Sequence, residues 1–127
     1  MKDSIKILLV EDDPMVMKIN QMLFERLGYT PYCATNGKEA LSLAEENIFD
    51  VIFTDIGLPD IDGITMVSKI RKHERRYRPY ESKIYAFTAY DLENVKQRGL
   101  EVGMNGVFNK PMLIDNVKQL LEHVAKD

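Results

Sequence analysis

Apolar residues along the chain are concentrated in five short runs, and each run is followed by a stretch with the spacing of a helix. The first run, Ile5–Val10, is almost continuously apolar, which is typical of a strand that is covered on both faces. Further strands are predicted at Thr30–Ala34, Val51–Thr54, Lys83–Thr88 and Gly106–Phe108. Strand and helix patterns therefore alternate along the chain.

The first and last helices have the most distinct apolar stripes. Asp13 precedes Pro14, so the first helix is predicted to begin there with Asp13 as its cap. Gly28 is predicted to end it. Its buried stripe is predicted at Val16, Ile19, Leu23 and Leu27. The stripe of the last helix is predicted at Val117, Leu120, Leu121 and Val124.

Polar residues mark the starts of the three helices in between. Asn36, with Glu39 three residues later, resembles a capping box that opens the second helix. Asp62 and Asp91 are interpreted as the caps of the third and fourth helices. The fourth helix has a thin apolar stripe, so we expect it to be held loosely.

Five strand–helix units in succession predict an α/β fold with a mostly parallel sheet and helices on both of its faces. With 127 residues the chain has the size of one ordinary domain, and we expect residues 1–127 to form a single domain. The pattern alone does not determine the order of the strands. It does predict that the carboxyl ends of all the strands lie at one edge of the sheet.

Residues that can bind metal ions or take part in catalysis lie where the predicted strands end. Glu11 and Asp12 close the first strand, and Asp55 closes the third. Thr88 ends the fourth strand, and Lys110 follows the fifth. Because the carboxyl ends of parallel strands share one edge, we expect these five residues to converge although they are scattered in sequence.

Such a cluster favours phosphoryl chemistry with a metal ion. Three carboxylates close together resist being ionised at once, and a divalent cation removes that difficulty. Oxygen ligands suit Mg²⁺ or Mn²⁺ rather than zinc. Since an aspartate can accept a phosphoryl group, we interpret Asp55 as the nucleophile, with Thr88 and Lys110 contacting phosphate oxygens. Each residue is ordinary when taken singly, and the loop residue Asp60 is interpreted as merely solvated.

Composition and charge exclude several other classes of protein. The net charge of −3 and pI near 5.4 argue against general nucleic-acid binding. The stretch Lys69–Arg78 is basic, but Glu74 interrupts it, so we interpret it as a solvated helix end. Cys33 is the single cysteine, which excludes a disulfide framework. No apolar run has membrane-spanning length and no leader opens the chain, so we expect a cytoplasmic domain without membrane contact.

Five motifs, in order along the chain, make the sequence similar to a known family. They are LLVEDDP, ATNGKEAL, FDVIFTDIGLPDIDG, FTA at residues 87–89 and GVFNKP at residues 106–111. With them the chain resembles a receiver domain, the phosphoacceptor module of response regulators in bacterial two-component signalling. The resemblance implies a flavodoxin-like (βα)5 sandwich of three layers, with strand order 2-1-3-4-5.

The resemblance also implies roles for individual residues. Asp55 would take a phosphoryl group from a phosphohistidine on a partner protein. Asp12 and Asp55 would bind Mg²⁺ directly, together with the backbone carbonyl of Gly57, while Glu11 would act through a water molecule.

Two further implications concern the phosphoryl oxygens and the loop after the fifth strand. Thr88 and Lys110 would hold the phosphoryl oxygens. The Lys110–Pro111 peptide bond would be cis.

This chain departs from the pattern of many receivers at Val107, where they carry an aromatic residue that moves inward when the threonine is drawn to the phosphate. Phe108 is adjacent, but it should point to the opposite face because side chains alternate along a strand. We therefore expect a weaker or different change on the face of helix four, strand five and helix five. Gly57 and Tyr90 occupy two positions that tune dephosphorylation in the family.

The expected partner is a histidine kinase or a histidine phosphotransfer domain. Met15 and Met22, seven residues apart on the first helix, are candidates for its docking patch together with Pro111, whereas Ile19 is predicted to pack in the core. The chain is interpreted as a stand-alone receiver or as one cut from a hybrid sensor kinase, without a DNA-binding effector, and as a monomer or weak dimer.

Two other functions are alternatives to the signalling module. An Mg²⁺-dependent phosphohydrolase also uses an aspartyl nucleophile, but its nucleophile opens an Asp-x-Asp pair after the first strand, where this chain has Glu11. A receiver that acts as an unphosphorylated binding module would not need the intact set of site residues. The only reactions expected of the domain itself are self-phosphorylation and self-dephosphorylation, so it is not predicted to be an enzyme.

Overall fold

Five strands and five helices alternate along residues 5–89 and 92–125, the part of the chain that the computed structural model describes. The strands are β1 (Ile7–Val10), β2 (Tyr32–Ala34), β3 (Val51–Asp55), β4 (Lys83–Thr88) and β5 (Gly106–Asn109). The helices are α1 (Pro14–Arg26), α2 (Gly37–Glu46), α3 (Gly63–Tyr77), α4 (Leu92–Glu101) and α5 (Ile114–Ala125). The predicted cap Asp91 and the loop residue Tyr90 lie outside the described residues.

The strands form one parallel sheet in the order β2-β1-β3-β4-β5. This confirms the flavodoxin-like α/β architecture and strand order that the family resemblance implied. In the register of the sheet, Val10 pairs with Thr54, and Thr54 with Ala86. The carboxyl ends of β1, β3 and β4 therefore lie side by side at one edge of the sheet.

Helices cover both faces of the sheet, and each face has its own apolar layer. Along β1, Leu8 and Val10 face the layer beneath α2, α3 and α4. Ile7 and Leu9 face the opposite layer, beneath α1 and α5. Because side chains alternate along a strand, a run that is apolar at every position is buried on both faces, as the pattern of β1 predicted. No helix among residues 5–89 and 92–125 is long and apolar enough to cross a membrane.

Helix α1 buries a stripe that overlaps the predicted one only in part, because Leu23 and Leu27 pack against the core whereas Ile19 does not. Its buried residues are Met17, Asn20 and Phe24, whereas Ile19 is 57% exposed, so the prediction that Ile19 packs in the core is wrong. The aromatic ring of Phe24 packs edge-on against Phe53, with ring centroids 5.1 Å apart. This large contact selects the face of the helix that turns inward.

The basic stretch at the end of α3 is not simply solvated, because Arg71 and Glu74 are buried. Arg71 Nη1 donates to Glu74 Oε1 at 2.6 Å and to the Ser82 carbonyl at 2.8 Å. Its Nε and Nη2 donate to the carbonyl of Gly103, and Nη2 also donates to Asn105 Oδ1. The guanidinium thus fastens the α4–β5 loop to α3, away from the carboxyl edge of the sheet.

Candidate functional site

The carboxyl ends of β1, β3 and β5 bring three charged side chains into direct contact. Lys110 Nζ donates to Glu11 Oε1 at 2.8 Å and to Asp55 Oδ2 at 3.0 Å. Glu11 and Asp55 are buried, with 2% and 9% of their surface exposed. Since the three residues follow strands that are not consecutive in the sequence, only the parallel sheet brings them together.

Asp12 completes a cluster of three acids. One carboxylate oxygen from each of Glu11, Asp12 and Asp55 lies within 4.8 Å of the other two. Asp12 is exposed, so the cluster opens to solvent on its side. A set of hard oxygen donors with one open side fits Mg²⁺, which keeps several of its water ligands when it binds to proteins.

Lys110 offsets part of the negative charge of this cluster. Burial lowers the pKa of Lys110, but its hydrogen bonds to Glu11 and Asp55 and the charges of these carboxylates raise it more. The net pKa therefore lies above the ordinary lysine value of 10.5. The amine thus stays protonated at neutral pH and presents a positive charge beside Oδ2 of Asp55.

The backbone after Asp55 is held by two glycines. The Gly57 N–H donates to Asp55 Oδ1 at 3.2 Å, which fixes one carboxylate oxygen, and Oδ2 faces Lys110. The Gly63 N–H donates to the Ile56 carbonyl at 2.8 Å, and a Cβ at Gly63 would lie 2.8 Å from the Asp55 carbonyl oxygen. Only glycine allows the start of α3 to approach the strand end this closely.

Asp60 is a member of this arrangement that local sequence patterns do not identify. Instead of being merely solvated, its carboxylate accepts hydrogen bonds from the N–H groups of Gly37 and Lys38 at 2.8 and 2.7 Å, and from Ile61. Desolvation raises the pKa of Asp60, but these backbone donors outweigh it and hold the pKa below its ordinary value. The loop after Asp55 is thereby tied to the start of α2.

Thr88 and Lys110 are joined through the backbone. The Lys110 N–H donates to the Thr88 carbonyl at 2.8 Å, which aligns the ends of β4 and β5. Thr88 is fully buried, and the Lys110–Pro111 peptide bond is cis. The two residues predicted to contact phosphoryl oxygens are therefore neighbours at the same edge.

Val107 and Phe108 point to opposite faces of the sheet, as predicted. Val107 packs in the layer beneath α2, α3 and α4. Phe108 packs in the layer beneath α1 and α5, where its ring lies 5.5 Å from that of Phe87. No aromatic ring from β5 therefore occupies the face on which Val107 lies.

Three large apolar residues of α1 are exposed along one side of the helix. Met15 is 72% exposed, Met22 is 54% exposed, and Ile19 lies between them. Pro111, at the start of the β5–α5 connection, is also exposed. Between this side of α1 and the connection lies a groove of about 330 Å³, which reaches Asp55 and Lys110.

Comparisons by sequence and by structure both find receiver domains as relatives of this chain. The sequence profile of the Response regulator receiver domain family matches residues 7–124. The sensor histidine kinase RcsC of Escherichia coli strain K12 is 31% identical over 124 residues. That match covers 98% of this chain but only 12% of RcsC, so the chain spans a small part of this relative.

Two solved receiver structures are similar over almost the whole chain. The receiver domain of the sensor histidine kinase PA1611 from Pseudomonas aeruginosa is 30% identical, with a TM-score of 0.82, and the match covers 96% of this chain and 98% of that one. That structure has a magnesium ion in its active-site cleft. The Saccharomyces cerevisiae Ssk1 receiver, crystallised with the phosphotransfer protein Ypd1, is 25% identical with a TM-score of 0.85, covering 94% and 87% of the two chains.

Proposed function

This chain belongs to the response regulator receiver domain family of two-component signalling, and from that premise we propose that Asp55 is its phosphoacceptor. The observation that carries the proposal is the contact of Lys110 Nζ with both Glu11 and Asp55, beside a cluster of three carboxylates. An ammonium group held against one specific carboxylate is what charge neutralisation during phosphoryl transfer requires.

In the proposed reaction an oxygen of Asp55 attacks the phosphorus of a phosphohistidine. A new O–P bond forms while the P–N bond breaks, and the imidazole of the donor takes the electron pair. Lys110 and Thr88 contact the oxygens of the transferred group. Because Gly57 and Lys110 already orient the carboxylate, the nucleophile is positioned before the donor arrives.

Asp12, Asp55 and the backbone carbonyl of Gly57 are the proposed direct ligands of Mg²⁺, with Glu11 acting through a water molecule. When bound, the cation supplies neutralisation of the phosphoryl charge. We expect Mn²⁺, which prefers similar oxygen ligands, to substitute for it.

The consequence of phosphorylation is proposed to differ from that in receivers with an aromatic residue at position 107. Val107 leaves no ring to follow Thr88, so we expect a weaker or different change on the face of α4, β5 and α5. Gly57, together with Tyr90, is proposed to set the lifetime of the phosphoryl group. The reactions of the domain would be its own phosphorylation and dephosphorylation.

The proposed partner is a histidine kinase or a histidine phosphotransfer domain, docked on Met15 and Met22 of α1 and on Pro111. The exposure of both methionines next to the site supports this face, and the complex of the Ssk1 receiver with Ypd1 supports the class of partner. Met15→Asp with Met22→Asp should slow transfer from a phosphohistidine protein without lowering the melting temperature. Unchanged transfer would remove this face from the proposal.

We also propose that residues 1–127 form a single receiver domain that works in the cytoplasm as a monomer or weak dimer, without binding nucleic acid or membranes. Similarity to the receiver of RcsC supports an origin in a hybrid sensor kinase, with a stand-alone regulator as the alternative. Size-exclusion chromatography with light scattering, before and after phosphorylation, measures the oligomeric state directly.

The deciding experiment is intact-mass analysis after incubation with acetyl phosphate and Mg²⁺. The wild type should gain one phosphoryl group, and Asp55→Asn should gain none. Asp13→Asn is the matched control, because it removes a nearby exposed carboxylate that only caps α1. Equal phosphorylation of Asp55→Asn and the wild type would contradict the proposal.

A further inference from the structure

The second half of α3 presents a dense cluster of positive charge to solvent. This cluster, the α3 cationic face, consists of Lys69, Lys72, Arg75 and Arg76, all of which are exposed. Residues 69–83 contain seven Lys or Arg and two Glu, a net charge of +5 in a chain whose net charge is −3. The remainder of the chain is therefore acidic, and positive charge is concentrated on this one segment.

The part of the chain that the structure describes offers these four cations no acidic partner. None of them makes an ion pair with another described residue, and the acid between them in sequence, Glu74, is buried. Like charges three or four residues apart on a helix repel each other. The helix dipole favours Arg75 and Arg76 in the last turn, but not Lys69 and Lys72, which lie earlier. Charge of a single sign on this face therefore favours an oppositely charged partner outside the chain.

Exposed aromatic and aliphatic groups adjoin the α3 cationic face. Tyr77 is 60% exposed, and the guanidinium carbon of Arg76 lies 5.5 Å from the centre of its ring. Tyr80 and Ile48 are also exposed, and both line a small hollow together with Arg78. Tyr and Arg are the residues that most often contribute binding energy at protein interfaces. The surface thus offers a partner protein apolar contact area as well as charge.

Acidic residues next to the α3 cationic face limit the shape of the partner. Arg78 Nη2 donates to the Glu45 carbonyl at 2.7 Å, which places the end of α2 beside the end of α3. The side chains of Glu45 and Glu46 are exposed there. A membrane or a nucleic acid is broad and would bring phosphates against these carboxylates, whereas one segment lying along α3 would avoid them.

We propose that the α3 cationic face, together with Tyr77 and Tyr80, binds an acidic segment of a partner protein. The segment would place carboxylates along the cations and an apolar side chain on the tyrosines. The N–H of Gly63, at the start of α3, donates to the Ile56 carbonyl beside Asp55, and Tyr77 lies about 21 Å further along the helix. A partner bound there leaves the carboxyl edge of the sheet open, so the inference goes beyond the proposed function and does not depend on it.

The test titrates the intact chain with a synthetic peptide that has glutamates along one helix face and a leucine beside them. A peptide of about 18 residues spans about 27 Å as a helix, which covers the α3 cationic face. In nitrogen–proton NMR correlation spectra the peptide should shift the amide signals of residues 69–80 and leave those of residues 55–57 unchanged. The same peptide with Gln in place of every Glu should bind at least about tenfold more weakly.

Two charge reversals separate this face from the net charge of the protein. Lys72→Glu with Arg76→Glu should weaken peptide binding about tenfold or more. The matched control, Lys96→Glu with Lys118→Glu, makes the same change in net charge on α4 and α5 and should weaken binding less than about twofold, because salt screens distant charges. Tyr77→Ala should weaken binding about fivefold through loss of apolar contact. All the substituted side chains are exposed, so each variant should keep the melting temperature of the wild type.

Equal weakening by the two charge-reversal variants would show attraction by net charge alone and would overturn the inference. So would signal shifts centred outside residues 69–80. Tighter binding to phosphatidylserine vesicles or to duplex DNA than to the peptide, at the same salt concentration, would also overturn it and would assign the surface to a membrane or to nucleic acid. Phosphorylation of Asp55 by acetyl phosphate is measured separately on the same samples, so a failure of the proposed function is distinguishable from a failure of this inference.

Discussion

Replacing Lys110 with methionine tests whether the contacts of Lys110 with Glu11 and Asp55 stabilise the folded protein. Methionine keeps an unbranched apolar stem and removes the ammonium group that contacts Glu11 and Asp55 at 2.8 and 3.0 Å. Both carboxylates would then remain buried without their cation. The variant should therefore unfold more easily when no divalent metal is present.

The size of the effect follows from burial. Removing one partner of a fully buried ion pair costs about 3–5 kcal/mol. The Lys110 side chain is 24% exposed, so water screens part of the interaction and we expect a loss of about 2–3 kcal/mol. Mg²⁺ should reduce the difference in the free energy of unfolding between Lys110→Met and the wild type. Without Lys110 the carboxylates bind the cation more tightly, and only the folded state brings them together.

Urea unfolding followed by circular dichroism, with EDTA or with saturating Mg²⁺, measures the loss in the free energy of unfolding and its dependence on Mg²⁺. Lys118→Met is the control, since Lys118 is an exposed lysine on α5. It should change the free energy of unfolding by less than about 0.5 kcal/mol, as surface substitutions usually do. The reasoning would be refuted if Lys110→Met lost less than about 1 kcal/mol of unfolding free energy in EDTA. It would also be refuted if Mg²⁺ left the difference between the variant and the wild type unchanged.

Three further predictions concern residues around the site and below it. Arg71→Met should cost about 3–5 kcal/mol in urea unfolding, because it leaves Glu74 buried without its cation, whereas exposed Arg75→Met should cost almost nothing. Asp62→Ala should cost about 0.5–2 kcal/mol at pH 7 by removing the cap of α3. Hydrogen bonding from the Thr65 N–H lowers the pKa of Asp62, so this difference should be full above the ordinary pKa of 3.8 and disappear as the pH falls through the lowered value. Asp60→Ala should weaken Mg²⁺ binding, measured by calorimetry, more than Asp62→Ala does, because the Asp60 carboxylate ties the loop after Asp55, which carries the proposed ligand Gly57, to α2.

Local patterns were sufficient for the elements and for the edge at which the site lies. A run that is apolar at every position predicts a strand buried on both faces, and alternation with helices requires a parallel sheet. Once the sheet is parallel, residues that follow its strands share one edge. The meeting of Glu11, Asp55 and Lys110 could therefore be predicted although 99 residues separate the first and the last in the sequence.

The inward face of α1 could not be predicted from spacing. Apolar residues form two overlapping stripes on this helix, and periodicity alone allows either to be buried. The structure buries the side that carries Phe24, whose ring meets Phe53 of β3, and leaves Ile19 on the surface. The choice depends on the shape of a partner that lies elsewhere in the chain.

The sequence by itself determined the α/β alternation, the caps of α1 and α3, and the identity of the residues at the strand ends. Only the tertiary structure decided that Asp60 holds the start of α2, that Arg71 fastens the loop at Gly103, and that Asn20 faces a groove. The first group depends on hydrophobic periodicity and on hydrogen bonds between residues a few positions apart. The second depends on contacts between residues distant in sequence, and such contacts exist only after the helices have packed on the sheet.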